Sequence, residues 1–339
     1  MLYTIKDVAE KAGVSTATVS LVVHNNSRIS PETSKKVLKV IKQLNYYPSR
    51  SARGLVSKKT GNIGFILTED HFLKTEPFYT IIFLGTEFAT RKTNYYVLLT
   101  TVNSEFVKEE PLPRFIQEKN VDGIIIAGKI PFQLIDRIKQ IKIPLVFVDY
   151  YPPVGDFPVV MIDNIKGGML ATQHLIELGH RNIGFVGGDL NHPSISDRLY
   201  GYKKALNIAS IEVNSAYIST EEQSTTKQTG YSAAEKLFIK APDVTAIFAC
   251  NDAMALGILQ YLKEHNYKVP EDISLIGFDD IESDLLVTPA ISTIKVHKIE
   301  LGMEAMKLLV NIVENNDLTS KKILIPVELI MRESTRNIK

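Results

Sequence analysis

From Asn62 onward, short apolar runs rich in β-branched residues alternate with longer amphipathic stretches, and this alternation limits the possible folds more than any other feature. The runs are Ile63 to Leu67, Tyr95 to Leu99, Gly123 to Ala127, Pro144 to Val148, Val159 to Ile162, Ile183 to Gly187, Ala246 to Cys250 and Ser274 to Phe278. Such runs suit parallel strands covered by helices on both faces. Between them lie helical stretches at Thr80 to Thr90, Pro113 to Lys119, Phe132 to Gln140, Gly167 to Leu178, Asp197 to Leu206, Thr226 to Phe238 and Ala253 to His265. Repeated strand–helix–strand units predict an α/β core of two doubly wound parallel-sheet lobes. A late helix, Ile299 to Glu314, and a strand, Lys322 to Glu328, predict that the chain crosses between lobes near its end. The core, 61–339, should therefore comprise one lobe of about 61–161 plus 293–322 and another of about 162–292 plus 323–339.

The first 47 residues predict a small all-α helix-turn-helix head. Ile5, Val8, Ala9 and Ala12 recur at helical spacing, Gly13 interrupts them, and Val14, Val19, Val22 and Val23 resume the pattern. Thr4 with Asp7 forms a capping-box pattern, Gly13 suits a left-handed turn, and Ser15 suits the cap of the second helix. A third helix, opened by Ser30-Pro31-Glu32, should run to Leu44 with Val37, Leu38, Val40, Ile41 and Leu44 inward. Small side chains at Thr16, Ala17 and Ser20 would let the second helix enter a DNA major groove. Taken alone, the same pattern also fits two packing helices of a larger domain.

Charge distribution separates these readings. Residues 1–60 hold eleven Lys or Arg against three acidic residues, leaving 28 against 35 in the remainder, although the whole chain is only +1. A basic head on a mildly acidic body suits a polyanion at one end. Lys35, Lys36, Lys39 and Lys42 fit a solvated face or phosphate contacts. Residues 48–60 read as a linker or as a hinge that folds on DNA, with Arg50 and Arg53 three apart and Leu55 as a minor-groove wedge. The lone Cys250 excludes an intrachain disulfide framework. The start lacks a signal-peptide pattern and no apolar run is long enough to span a bilayer, so the expected location is cytoplasmic and no membrane partner is expected.

Ligands of open parallel sheets sit beyond the carboxyl ends of the strands. Asp149, Asn251, Asp252, Asp279 and Asp280 fall at such ends, and Arg198 would reach the same crevice. Carboxylates accept from hydroxyls while Asn and Arg donate, which suits a polyol such as a sugar. Phe78, Tyr79, Tyr150 and Tyr151 could form apolar walls, and Asp252 reads better as a helix cap. Enzyme readings fare poorly. Gly123 to Lys129 has phosphate-loop spacing, but Ile130 stands where a magnesium-holding Ser or Thr is needed. The seven histidines show no metal-ligand spacing, and neighbouring Asp279 and Asp280 should point to different sides. No metal or cofactor is implied.

At this point the chain resembles the lactose/galactose repressor (LacI/GalR) family over nearly its whole length. The matching stretches are Thr-Ile-Lys-Asp-Val-Ala-Glu-Lys-Ala-Gly-Val-Ser from Thr4, Ala-Arg-Gly-Leu from Ala52, and Asn-Asp-Ala-Met-Ala-Leu-Gly from Asn251. Further matches are Val-Pro-Glu-Asp-Ile-Ser-Leu-Ile-Gly-Phe-Asp-Asp from Val269, Thr-Pro-Ala-Ile-Ser-Thr-Ile from Thr288, and Arg-Glu-Ser-Thr from Arg332. The resemblance implies a homodimer on a pseudo-palindromic double-stranded operator, hinge helices that insert a Leu, and a periplasmic-binding-protein-like core holding a small effector. The DNA-facing candidates are Thr4, Ser15, Thr16, Ala17, Ser20, Leu21, His24, Arg28, Ser49, Arg50, Ala52, Arg53 and Leu55. The effector candidates are Phe78, Tyr79, Asp149, Arg198, Asn251 and Asp279. Leu21 stands where many members have Arg, and Ser49 where Asn is common, so the operator should differ from the family norm. Val296 and Lys298 also depart from the usual choices near the ligand. The chain stops soon after Arg332, without a tetramerising heptad helix, and a dimer is expected. A sugar-responsive repressor is the leading expectation, and a soluble carbohydrate-binding or transport protein the alternative.

Overall fold

The computed structural model describes residues 3–23, 28–46, 59–72, 77–315 and 321–339. It divides into two compact units, 1–61 and 62–339.

The first unit holds α1 (Ile5–Ala12), α2 (Thr16–Val23) and α3 (Pro31–Leu44). Thr4 donates its backbone N–H and its hydroxyl to the Asp7 carboxylate, at 2.6 and 2.7 Å, and these bonds hold the Asp7 carboxyl below its ordinary range. Gly13 ends α1 at φ 63°, a conformation that crowds any Cβ. Ser15 Oγ then accepts the Thr18 N–H at 3.1 Å, and Ser30 Oγ the Thr33 N–H at 3.2 Å, starting α2 and α3. The three helices bury Val8, Ala9, Ala12, Val19, Val22, Val37, Val40 and Leu44, joined by Tyr46. Leu38, expected inward, is 52% exposed. The inward face runs through 37, 40 and 44, and position 38 lies about 100° off it.

In the second unit a six-stranded parallel sheet contains β1 (Asn62–Thr68), β2 (Tyr96–Val102), β3 (Gly123–Ala127), β4 (Leu145–Val148), β5 (Val159–Ile162) and β11 (Lys322–Ile325), in the order β11-β5-β4-β3-β1-β2. A four-stranded parallel sheet contains β6 (Ile183–Val186), β7 (Ile218–Ser219), β8 (Ala246–Ala249) and β9 (Ser274–Ile276), in the order β7-β6-β8-β9. Beside β9, the antiparallel pair β10 (Thr293–Val296) and β12 (Val327–Ile330) extends the second sheet through bridges from Ile276 to Ser292 and from Asp279 to Lys295. The expected single strand from Lys322 to Glu328 is thus two strands in different sheets. Pro326 lies between them, lacks an N–H and cannot carry a continuous ladder, so the chain changes lobe there.

Helices α4 (Glu69–Phe72), α5 (Phe78–Thr90), α6 (Arg114–Gln117) and α7 (Phe132–Ile141) accompany the first sheet. The second is flanked by α8 (Asn164–Glu177), α9 (Pro193–Ile208), α10 (Lys227–Lys240) and α11 (Asp252–Glu264), while α12 (Lys298–Asn315) returns to pack on α5. α9 starts four residues before its expected start, because Pro193 occupies the first turn. Where α8 crosses α9, a Cβ on Gly168 would stand 2.3 Å from the Arg198 carbonyl oxygen, and one on Gly201 2.3 Å from that of Ile165. That close crossing fixes the backbone from which Arg198 projects.

Candidate functional site

The carboxyl ends of β1, β4, β6, β8 and β9 converge on one cleft between the two lobes. Its walls are His71, Phe78, Tyr79, Asp149, His192, Ser194, Ile195, Arg198, Thr225, Cys250, Asn251, Ala253, Asp279 and Ile281, around ≈150 Å³ of free space. All six side chains expected to meet an effector are among them. Tyr150 and Tyr151, considered as walls, are not: Tyr150 packs against the His192 ring, centroids 5.6 Å apart, and Tyr151 lies under the Lys322 ammonium.

Asp149 follows β4 at φ 59° and is 5% exposed. Tyr79 Oη donates to its Oδ2 at 2.9 Å, and Ser194 Oγ donates to its Oδ1 at 2.8 Å. Tyr79 is therefore more than a wall; burial, and then the Asp149 charge, push its phenol well above the ordinary range. The Ser194 bond crosses from the first turn of α9 to the end of β4 and so links the lobes.

Arg198 projects from the second turn of α9 and is 5% exposed. Its Nε donates to Asn164 Oδ1 at 2.8 Å and its Nη1 to the Cys250 carbonyl at 2.6 Å; Nη2 lies 3.6 Å from Asp279 Oδ1. The guanidinium also sits 3.6 Å from the centroid of the Phe278 ring. Asn251, not Asp252, caps α11: its Oδ1 accepts the Met254 N–H at 2.9 Å while Nδ2 donates to the Thr225 carbonyl at 3.0 Å. Asp252 is instead fully buried, with Oδ1 accepting the Thr293 hydroxyl at 2.7 Å. Asp279 and Asp280 take positive φ, 114° and 54°. They diverge as expected: Asp279 lines the cleft beside Arg198, whereas Asp280 pairs with Arg332. Lys298 Nζ binds both of their carbonyls.

Sequence reasoning missed His71, His192, Ser194 and Thr225. Of these only Ser194, in the first turn of a helix following a strand end, carried a local signal. Burial lowers the affinity of the His192 imidazole for a proton and pushes the Cys250 thiol up to about 12, so that thiol stays protonated. Among the described residues no cluster of His, Cys, Asp or Glu could hold a metal ion.

In the head, Thr16 and Ala17 are exposed on the first turn of α2, and Ser20 and Leu21 are half-buried. Thr4, Ser15 and Arg28 are exposed, although Thr4 and Ser15 also serve as caps. Lys35, Lys36, Lys39 and Lys42 are all exposed. His24, Ser49, Arg50, Ala52, Arg53 and Leu55 lie outside the described residues.

A basic helical head carrying small side chains on an exposed helix turn, in one chain with a two-lobed cleft of converging polar groups, defines a ligand-regulated nucleic-acid-binding protein. Residues 4–49 match the model for bacterial regulatory proteins of the lacI family, and residues 172–335 that for a periplasmic binding protein-like domain. The chain is 33% identical to the HTH-type transcriptional repressor PurR of Mannheimia succiniciproducens, over 99% of each chain. Its fold is similar to that of the transcriptional regulator CelR in complex with cellobiose, with TM-score 0.76, 30% identity, and 98% of this chain and 99% of that one covered. It is also similar to the lac repressor dimer bound to operator and the anti-inducer ONPF, with TM-score 0.79, 27% identity, and 99% and 100% covered. The chain belongs to the LacI/GalR family of bacterial regulators.

Proposed function

We propose that this protein is a transcription repressor, not an enzyme, that binds double-stranded operator DNA as a homodimer and whose operator affinity is set by a small sugar bound between the core lobes. The observation that carries this reading is the convergence of Asp149, Arg198, Asn251 and Asp279 on one cleft, in a chain whose residues 4–49 match the lacI family of bacterial regulatory proteins. Relatives described as a repressor dimer on operator and as a regulator with cellobiose support it. Thr16 and Ala17 read bases in the major groove, the surrounding Lys and Arg side chains neutralise phosphates, and residues 48–60 form the hinge, with Leu55 opening a base step. The sugar binds the two lobe arrangements unequally and so shifts operator affinity. The protein acts in the cytoplasm, where its operator DNA lies; among the described residues no helix is long and apolar enough to cross a membrane.

The test is selection of a duplex from random DNA, followed by binding measurements across salt concentrations. The expected plot of log affinity against log salt falls with a slope of about −5 or steeper, reflecting six or more neutralised phosphates. Leu55→Ala should weaken that binding and leave sugar affinity intact. A full-length protein that selects no sequence and shows a flat salt response would refute the reading and favour a carbohydrate-binding or transport protein.

A further inference from the structure

The next step rests on the reading of the cleft as an effector site and concerns the charge of what enters. Among the lining side chains, two carboxylates, Asp149 and Asp279, face one guanidinium, Arg198. An anion needs available N–H donors, and the guanidinium fork is the usual supplier. Here two of its N–H groups go to protein acceptors, Nε to Asn164 Oδ1 and Nη1 to the Cys250 carbonyl, and Nη2 faces the Asp279 carboxylate at 3.6 Å in an ion pair that already balances the guanidinium charge. Its flat face lies against Phe278. The nearest ammonium groups are also held, Lys129 by Asp189 at 3.2 Å and Lys298 by the carbonyls of Asp279 and Asp280.

The acceptors, by contrast, have lone pairs to offer. Asp149 receives one hydroxyl on each oxygen, and each carboxylate oxygen accommodates about two donors. His192 adds a buried Nδ1 that has no hydrogen-bond partner in the structure. An imidazole kept neutral by burial presents one donor and one acceptor nitrogen, which matches a hydroxyl or an N–H and does not attract a negative charge.

We infer that the cleft takes an uncharged polar ligand, one hydroxyl or N–H group of which bonds His192 Nδ1, and excludes the phosphorylated or carboxylated forms of the same compound. A phosphate there would add a charge where the described lining offers no second guanidinium or ammonium, beside Asp149 and Arg198 that are each 5% exposed and in a lining whose carboxylates already outnumber the guanidinium.

The test is titration calorimetry on the full-length protein with matched probes: D-ribose and its phosphate monoester, D-glucose and its phosphate monoester, cellobiose and cellobionate, and hypoxanthine as an uncharged compound that is not a sugar. In parallel, crystals are soaked in inorganic phosphate. The uncharged member of any binding pair should bind at least about 100-fold more tightly than its anionic partner. For that ligand His192→Ala should weaken binding about tenfold, and His192→Gln, which keeps a hydrogen-bonding group, should recover part of the loss. An anionic probe that binds more tightly than its neutral parent overturns the inference, as does an unchanged affinity in His192→Ala. Binding of hypoxanthine alone overturns the sugar reading while supporting an uncharged polar ligand. If no organic probe binds, the soak decides: phosphate seated against Arg198 overturns the inference, and a phosphate-free cleft supports it.

Discussion

Asp284 and Asp252 form a fully buried carboxyl pair beneath the Asp279–Asp280 turn, and replacing Asp284 by Asn tests how the proton on that pair is linked to stability. The Ile281 N–H reaches Oδ2 of both, at 3.3 Å for Asp252 and 3.2 Å for Asp284, so the two carboxyls share one donor. Burial, and then the charge of Asp284, push the Asp252 carboxyl well above its ordinary range. Burial raises Asp284 from 3.8 to about 6, against the opposing pull of Arg332, whose Nη1 lies 3.7 Å away. A folded-state value above the unfolded one means that the folded chain binds this proton more tightly. The resulting stabilisation is full below pH 3.8 and is lost as pH rises through about 6. At about 1.36 kcal/mol per pH unit, the interval corresponds to about 3 kcal/mol. In a core of this size about 1 kcal/mol moves the thermal midpoint by roughly 2 °C or more. Circular dichroism melts of wild type and Asp284→Asn, taken from pH 4 to pH 7.5, should therefore diverge by roughly 6 °C, with wild type losing more as pH rises. The difference between the two curves cancels the titrating groups that do not touch Asp284 and reports the linkage of the Asp252–Asp284 pair as a unit. Parallel curves, or a wild type that gains on the variant with rising pH, would refute the reasoning.

Three further outcomes follow from individual contacts. Gly13→Ala should destabilise the head by about 1–2 kcal/mol through backbone strain alone, since the added Cβ would have Lys36 Nζ at 3.6 Å as its nearest neighbour; a head melt matching wild type contradicts this. Gly168→Ala should cost several times more, because its Cβ would meet a backbone oxygen at 2.3 Å, and effector affinity should fall with it as Arg198 shifts; intact affinity would show that the crossing does not position the guanidinium. Tyr79→Phe removes one donor from a buried carboxylate and should cost about 1–3 kcal/mol of core stability, measured by urea unfolding followed by circular dichroism.

Fold class was legible in the sequence because buried parallel strands are apolar at every position and their helices keep a separate period. Element ends were less so. Pro326 divides what reads as one apolar strand, and only the pairing of each half with a different sheet reveals the change of lobe. In the cleft, Asp149, Asn251 and Asp279 were visible because a polar residue directly after an apolar run marks a strand end. Asp252 misled for the same reason, since Asn251 beside it takes the cap and leaves Asp252 to the buried pair. His71 sits in the one-turn helix α4, and His192 and Thr225 in loops; where each lies depends on tertiary packing, and no periodicity announces them. Leu38 shows the converse case, an apolar residue one step off the inward face of α3 that packing leaves exposed.

Two of the contacts that join the lobes beside the cleft differ in kind, and the difference allows one to be tuned without disturbing the ligand. Ser194 bonds Asp149, itself part of the cleft lining, so its removal would confound lobe closure with ligand contact. Lys129 and Asp189 lie outside the lining: Lys129 follows β3, Asp189 follows β6, and the lysine side chain is 50% exposed. They meet only while the lobes stay together, so the pair favours the arrangement that encloses a ligand, and by linkage it must tighten ligand binding. An exposed pair is worth about 0.2–1 kcal/mol, so Lys129→Met should weaken effector affinity by roughly 1.4- to 5-fold. Because salt screens such pairs, the gap between wild type and variant should narrow as ionic strength rises. The charge-swapped double variant Lys129→Asp with Asp189→Lys should recover most of the loss, which a local packing defect would not allow. An affinity that rises in Lys129→Met, or a gap insensitive to salt, would mean that this pair does not hold the lobes together.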